Sequence, residues 1–221
     1  MERGTESLRF FPDLIERLKE PLPGLTAQLN MVPDPRPGNQ VYTEVLDSCK
    51  RAGVLVLLYL KGTRVFVVLT RRTDMVDHHQ SQISFPGGRQ EEGESLEQTS
   101  LRETKEELGV KSSVIQILGK LTPLYIPPTN YCIYPVVAQM KGLPHFKPSP
   151  DEVAEVLEIP LDSLFDPQTQ KRERWTLHSK KVEVPFFSFK GHKIWGATAM
   201  VLAEFVEITK NLKGWVKHEN I

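Results

Sequence analysis

The sequence predicts an α/β fold, a sandwich built on one mixed sheet. Three features carry that expectation. Residues 53–60 and 64–70 are apolar runs joined by Lys61-Gly62-Thr63, a hairpin signal. Residues 96–108 form a helical segment with start and stop signals. Beyond it, strand-like and helix-like segments mix without strict alternation and without an internal repeat, which points to a mixed sheet between helices.

Taken in order, residues 7–20 carry Leu8, Phe10, Phe11, Leu14, Ile15 and Leu18 at helical spacing, and Pro21 and Pro23 end that helix. Residues 21–40, rich in Pro, Gly and Asn, read as irregular. Residues 1–40 are therefore an N-terminal extension, open to covering the core or making a homodimer contact, and 41–221 the main domain. After the hairpin, residues 71–84 are a polar loop leading into Ile83-Ser84-Phe85. Strands are expected at 114–121 and 131–139, around the Pro-rich loop 125–130. Residues 154–159 read as a strand followed by a short helix near Pro160. Residues 171–190 alternate like a hairpin, and 196–209 form a last helix of small and apolar residues.

Composition narrows the function. The 221 residues suffice for one large domain, and 25% charged with 39% hydrophobic residues is the balance of a soluble globular chain. The formal net charge is zero, so no basic field draws in nucleic acid or holds the chain on an anionic membrane. Attraction for an anionic ligand must be local. Cys49 and Cys132 are no disulfide framework and read as two half-buried thiols in a reducing compartment. With no export-like N-terminus and no long apolar run, the cytoplasm is the expected location.

The chemistry concentrates in residues 88–109. Glu103 and Glu107 are one helical turn apart, and Glu106 lies three residues from Glu103. Three like charges on one surface repel one another. A cation among them removes that cost, and hard divalent ions such as Mg2+ take carboxylate oxygens. A solvated acidic face is the ordinary alternative. Against it stand a Ser95-x-x-Gln98 capping box, a Gly109 stop, and Phe85-Pro86-Gly87-Gly88, whose glycines let backbone come close to a ligand.

These residues resemble the box of the Nudix hydrolases: Gly, five residues, Glu, seven residues, then Arg-Glu-apolar-x-Glu-Glu-x-Gly-apolar. Gly88, Glu94, Arg102, Glu103, Glu106, Glu107, Gly109 and Val110 all match; Thr104 replaces an apolar residue, its methyl still able to face a core. The resemblance implies an α/β/α sandwich and a pyrophosphatase using Mg2+ or Mn2+. It makes Glu103, Glu107 and Glu106 the metal ligands, with the Gly88 carbonyl as an extra one. Arg102 is expected to orient a box carboxylate. Glu94 either reaches an outer water or simply sits near the helix N-terminus, where negative charge is favoured. The general base stays open among Glu106, Glu152 and Glu155.

A second segment is similar to the coenzyme A pyrophosphatase branch of that family. Leu69, Thr70, Arg72, His79, Gln82 and Phe85 to Gly88 match its upstream element, while Thr73, Asp77 and Ser81 depart from it. Asp77 places an anion where the branch has a cation. Later stretches at 135–137, 151–156 and 194–199 also look similar, so the resemblance spans roughly residues 50 to 208. It implies a nucleotide-derived small-molecule substrate: coenzyme A or its thioesters first, ADP-ribose or a dinucleotide second. Arg71 and Arg72 are the candidate phosphate grips, with His79 and Gln82 as further substrate contacts. Tyr125, Tyr131 and Phe186 are open between base stacking and core filling, and 195–199 read as helix-on-sheet packing. A ligand-binding module without turnover is the competing class, and the intact glutamate set speaks against it.

Overall fold

The computed structural model describes residues 9–35, 48–73, 82–177, 179–210 and 212. Its centre is strand β1 (Lys50–Lys61), in which Leu55 to Tyr59 are all fully buried. A run buried on both faces must be apolar throughout, hence the uninterrupted Val-Leu-Val-Leu-Leu-Tyr. Leu55, Leu57 and Tyr59 face one layer of core; Val56 and Leu58 face the other.

Around β1 lie β2 (Arg64–Arg72), β3 (Ile83–Ser84), β4 (Gly87–Arg89), β5 (Ile115–Lys120), β6 (Leu124–Ile126), β7 (Tyr131–Met140) and β8 (Val153–Pro160). The order is β3-β2-β1-β7-β5, with β4 on β1, β6 on β7 and β8 on β2. Only β1 and β7 run parallel; every other pair is antiparallel, so the sheet is mixed as expected. A second, three-stranded sheet comprises β9 (Gln170–Leu177), β10 (Lys180–Phe189) and β11 (His192–Trp195). One edge of β1 is shared. β2 pairs with Leu58 to Lys61 and then leaves, and β4 pairs with Ala52 to Val54. The glycine loop enters at that split.

Helix α3 (Leu96–Leu108) covers one face of the large sheet, and helix α4 (Gly196–Thr209) covers the other. The result is the expected α/β/α sandwich. α4 is buried almost all round, from Thr198 to Thr209. Two shorter helices, α1 (Phe10–Arg17) and α2 (Gly24–Gln28), lie on the α4 side. Phe10, Phe11, Leu14 and Met31 belong to the core there. Beneath α2, Gln28 Nε2 donates to Glu204 Oε2 of α4 at 2.8 Å, and Thr122 Oγ1 donates to Glu204 Oε1 at 2.7 Å.

Three expectations need correction. Residues 24–31 are not irregular: they form α2 and one 3-10 turn, because α4 provides a surface on which Gly24, Ala27, Gln28 and Met31 are buried. Residues 36–40 lie outside the described set. The two cysteines are not separate thiols. Parallel pairing sets Lys50 beside Tyr131 and Arg51 beside Cys132, and Cys49 is bonded to Cys132. Their separation of 83 positions hid that proximity in the sequence. The Pro-rich loop 125–130 is shorter than expected, since β6 takes its first residues and a 3-10 turn the rest.

Candidate active site

Helix α3 is held on the sheet by small contacts. Ser95 accepts from Gln98 N and Gln98 Oε1 accepts from Ser95 N, closing the capping box. Gly109 ends the helix in the left-handed region, at φ 70°. A side chain at Gly53 of β1 would run into the Leu96 carbonyl, so glycine there lets helix and strand meet. Thr99, Ser100 and Thr104 are buried, and Thr104 Oγ1 returns its hydrogen bond to Ser100 O at 2.7 Å.

That seating directs Glu103 and Glu107 at the glycine loop. A Cβ on Gly88 would collide with the Glu103 carboxylate. Glu107 is 3% exposed, accepts from the Gly87 N–H, and leaves Oε2 with no partner in the protein. Burial, with smaller contributions from the charges on Glu103 and Glu152, pushes its carboxyl up to about 8; Arg72 pulls the other way. Burial likewise raises Glu103, against the pull of Arg102. Arg102 Nε donates to Glu94 Oε1 at 2.7 Å, and its Nη1 donates to Glu103 Oε1 and Glu106 Oε2 at 2.9 Å each. Glu94 also accepts from Thr99 Oγ1 and Glu91 N, and these bonds, led by that from Arg102, hold it down at about 2. Glu94 is therefore a fixed brace for Arg102.

The loop before β8 completes this face. Ser149 N donates to Glu107 O and Lys147 N to Leu108 O, so residues 147–149 close over the end of α3. Thr73 N donates to Glu152 O, which sets Glu152 alongside Arg72, near enough to act on both Glu103 and Glu107. Arg72 Nε is buried and makes no hydrogen bond. Arg71 points elsewhere: its Nε pairs with Glu155 Oε2 at 3.1 Å, and His192 Nε2 lies 3.4 Å from Glu155 Oε1. Those partners, Arg71 foremost, hold Glu155 below the usual carboxylate range, which removes its appetite for a proton. Of the sequence candidates, Glu103, Glu106, Glu107, Arg102, Gly88, Arg72 and Glu152 thus share one locality. Arg71 and Glu155 form a separate ion pair. His79, Asp77 and Ser81 lie outside the described residues.

Among the described residues, no three acidic, His or Cys side chains converge as a ready cation cage. Arg102 holds Glu103 and Glu106 to itself. The donor set nevertheless fits a hard divalent ion: all-oxygen ligands, one buried carboxylate oxygen without a partner, and the Glu103 carboxylate lying so close to the Gly88 backbone that any Cβ there would collide with it.

Behind the glycine loop, on the α4 side, a cavity of about 660 Å3 opens. Its floor is Ala52 and Val54 of β1 and Tyr131 and Ile133 of β7; Gly87 and Gly88 form its border with the carboxylates. Ile126, Pro128, Pro33, Leu177 and Trp195 enclose it, and Gln82, Ser84 and Thr198 add polar atoms. Among the described residues, no Lys, Arg, Asp, Glu or His lines it. Sequence reasoning took 195–199 for packing alone, but Trp195 to Thr198 also line this cavity. Tyr125 and Phe186 are core residues, whereas Tyr131 faces the cavity. Only the apolar character of Trp195 and Leu177 was visible in the sequence, and nothing local marks that as binding rather than core.

The fold and this site define a Nudix-type hydrolase domain. A NUDIX domain model matches residues 50–179. An uncharacterized Nudix hydrolase NudL of Yersinia pestis is 30% identical over 161 residues, covering 72% of this chain and 79% of that protein. A NudL of Photorhabdus laumondii is 28% identical over 181 residues, covering 81% and 92%. Among solved structures, a MutT protein from Methanosarcina mazei overlaps 73% of this chain and 95% of its own, with TM-score 0.47 and 16% identity. The NUDIX domain of Shewanella oneidensis NrtR, solved with ADP ribose, covers 57% and 86%, with TM-score 0.43 and 21% identity. The chain belongs to the Nudix hydrolase family. Among its described residues no helix is long and apolar enough to cross a membrane.

Proposed function

We propose that this Nudix hydrolase cleaves the diphosphate linkage of coenzyme A or its thioesters, giving 3′,5′-ADP and a 4′-phosphopantetheine product. The observation that carries the reading is Glu107, a buried carboxylate with one oxygen unpartnered, set against Glu103 under the Gly88 backbone. Glu103, Glu107, Glu106 and the Gly88 carbonyl would hold Mg2+ or Mn2+. The ion's contribution is to neutralise diphosphate oxygens and to lower the pKa of water. Glu94 braces Arg102, and Arg102 orients Glu103 and Glu106. Arg72 offers a guanidinium without a hydrogen-bond partner on its Nε for a phosphate oxygen. Glu152, beside Arg72 and not tied up as Glu155 is, is the base we assign to take a proton from the attacking water. The uncharged cavity suits the pantetheine arm, while a group bearing an extra phosphate is better placed outside it.

A second reading has its own support. Tyr131 and Trp195 border the cavity and could stack a base, which favours ADP-ribose or a dinucleotide. The deciding experiment incubates the protein and Mg2+ or Mn2+ with coenzyme A, an acyl thioester, ADP-ribose and a diadenosine polyphosphate. Release of 3′,5′-ADP from coenzyme A or its thioester is the expected result. Turnover of ADP-ribose alone would install the second reading, and no turnover of any member would mark a binding module.

A further inference from the structure

The cysteine pair is not used by the chemistry above, and Cys132 belongs to the strand that floors the cavity, its side chain on the sheet's opposite face. Cys132 lies between Tyr131 and Ile133, two floor residues, and pairs in register with Tyr125 of β6 and Arg51 of β1. On β1, the next residue, Ala52, is also floor. Cys49 precedes β1, where Lys50 N donates to Asn130 O at 2.9 Å and Asn130 Nδ2 donates to Ser48 O at 3.4 Å. Asn130 ends the turn Pro127–Thr129, and Pro128 and Thr129 of that turn wall the cavity. The bond therefore ties the residue before β1 to β7, two residues past Asn130 at the end of a turn that walls the cavity. The ladder itself does not need it. Parallel pairing runs on from Lys50–Tyr131 to Leu58–Gln139, and the apolar floor is buried without the sulfurs.

We infer that Cys49–Cys132 is a thiol–disulfide exchange site that sets how tightly the cavity wall at 126–131 is held, and with it substrate affinity. The two sulfurs differ in access: Cys132 is fully buried and Cys49 half-buried, so exchange begins at Cys49. A thiolate of an external dithiol attacks the Cys49 sulfur and breaks its bond to Cys132, which leaves as thiolate and takes a proton. The second thiol of the dithiol then attacks the mixed disulfide and frees the Cys49 thiol. Two electrons pass from the dithiol, which closes its own disulfide. In a reducing compartment such a bond forms and opens as a signal; in an oxidising one it stays closed.

The test needs no assumption about the substrate. Thiols are trapped with a maleimide and counted by mass, then amide hydrogen exchange over residues 124–133 is compared between protein oxidised, protein reduced with dithiothreitol, and the Cys49→Ala variant. Expected are no trapped thiols in the oxidised form, two after reduction, and faster exchange over 124–133 in both opened forms at unchanged exchange over 55–59. With whichever substrate is turned over, KM rises about fivefold in the opened forms while kcat moves less than about twofold. Reoxidation reverses this in the wild type and not in Cys49→Ala. Free thiols under all conditions, equal exchange over 124–133 in both redox states, or an unchanged KM would overturn the inference. None of these outcomes bears on whether the glutamates bind metal.

Discussion

The two faces of the central sheet do different work. On the α3 face, charge is forced into a place that resists it: Glu107 is buried, and its carboxyl is pushed up to about 8. On the α4 face, α4 is buried almost all round, and among the described residues the adjoining cavity has no charged lining side chain. The first face gives up stability for reactivity. The second also buries a carboxylate, Glu204, but satisfies it with Gln28 and Thr122, and leaves a hollow where packing stops. The glycine pair at 87–88 touches both, so a diphosphate there would present its anionic centre to one side and its organic group to the other. Changes on the α3 face should therefore strike kcat, and changes on the cavity side should strike KM.

The largest effect expected is from Glu107→Gln. Turnover should fall by more than the 10- to 100-fold loss common for outer partners of a metal ligand, because the proposed donor set includes this carboxylate itself. The same change should stabilise the metal-free fold. The sign follows from the carboxyl's raised value: the folded protein keeps a proton that the unfolded chain gives up near its ordinary 4.5. Stability present at low pH is then lost as pH rises through about 8. Thermal melts in EDTA at pH 5 and pH 8 should show a fall for the wild type and little change for Glu107→Gln. A variant that melts lower than the wild type at pH 8 would show that the buried charge was not a cost.

Gly88→Ala comes next. The added methyl meets the Glu103 carboxylate, which is half-buried and held by Arg102, so either the loop or the carboxylate must move. We expect a loss in kcat of about 10- to 100-fold, the scale of a misplaced ligand partner, with KM moved less. A larger effect on KM than on kcat would break the division of labour between the faces.

The difference between the faces also explains what the sequence disclosed. A Glu-rich helix face is ordinarily just solvated, but the fixed spacing of Glu103, Glu106, Glu107 and Arg102 between the Ser95 and Gly109 caps made this locality legible. The central hairpin was legible because a strand buried on both faces must read as an unbroken apolar run. The cavity was not, since Ile126, Leu177 and Trp195 look the same whether they fill a core or border a hollow. The Cys49–Cys132 bond was hidden because contact across a parallel ladder has no sequence spacing of its own. The choice between Glu152 and Glu155 also needed tertiary structure: only the register of β8 on β2 reveals that Arg71 takes Glu155.

A smaller effect should follow Trp195→Ala. Trp195 borders the cavity and meets the Trp175 ring edge-on, at 5.2 Å between centroids. Its loss widens the pocket on the side away from the carboxylates. KM should rise about tenfold, roughly the 1.4 kcal/mol of one factor of ten, with kcat nearly kept. Steady-state kinetics separate the two parameters directly, and a drop confined to kcat would mean that the cavity side reaches into the chemistry.

The smallest effect tests whether a face matters in itself or only its glycine end. Tyr59 lies on the α3 face, but in the half of β1 that pairs with β2, away from Gly53 and Gly88. It is fully buried, stacks on Phe66 at 5.3 Å, and its hydroxyl donates to Glu158 of β8. Tyr59→Phe should leave kcat and KM unchanged and cost about 1 kcal/mol of stability at neutral pH, the usual worth of one hydrogen bond. Burial, then the Glu158 carboxylate, holds the phenol well above its ordinary value of 10. The wild type therefore has its full advantage below pH 10 and loses it as pH rises further, because the unfolded chain ionises there first. Denaturant titrations at pH 7 and pH 10.5 should show the gap between wild type and variant closing. A widening gap would mean that the phenol ionises more readily folded than unfolded, and a change in kcat would mean that the α3 face acts as one electrostatic unit along its whole length.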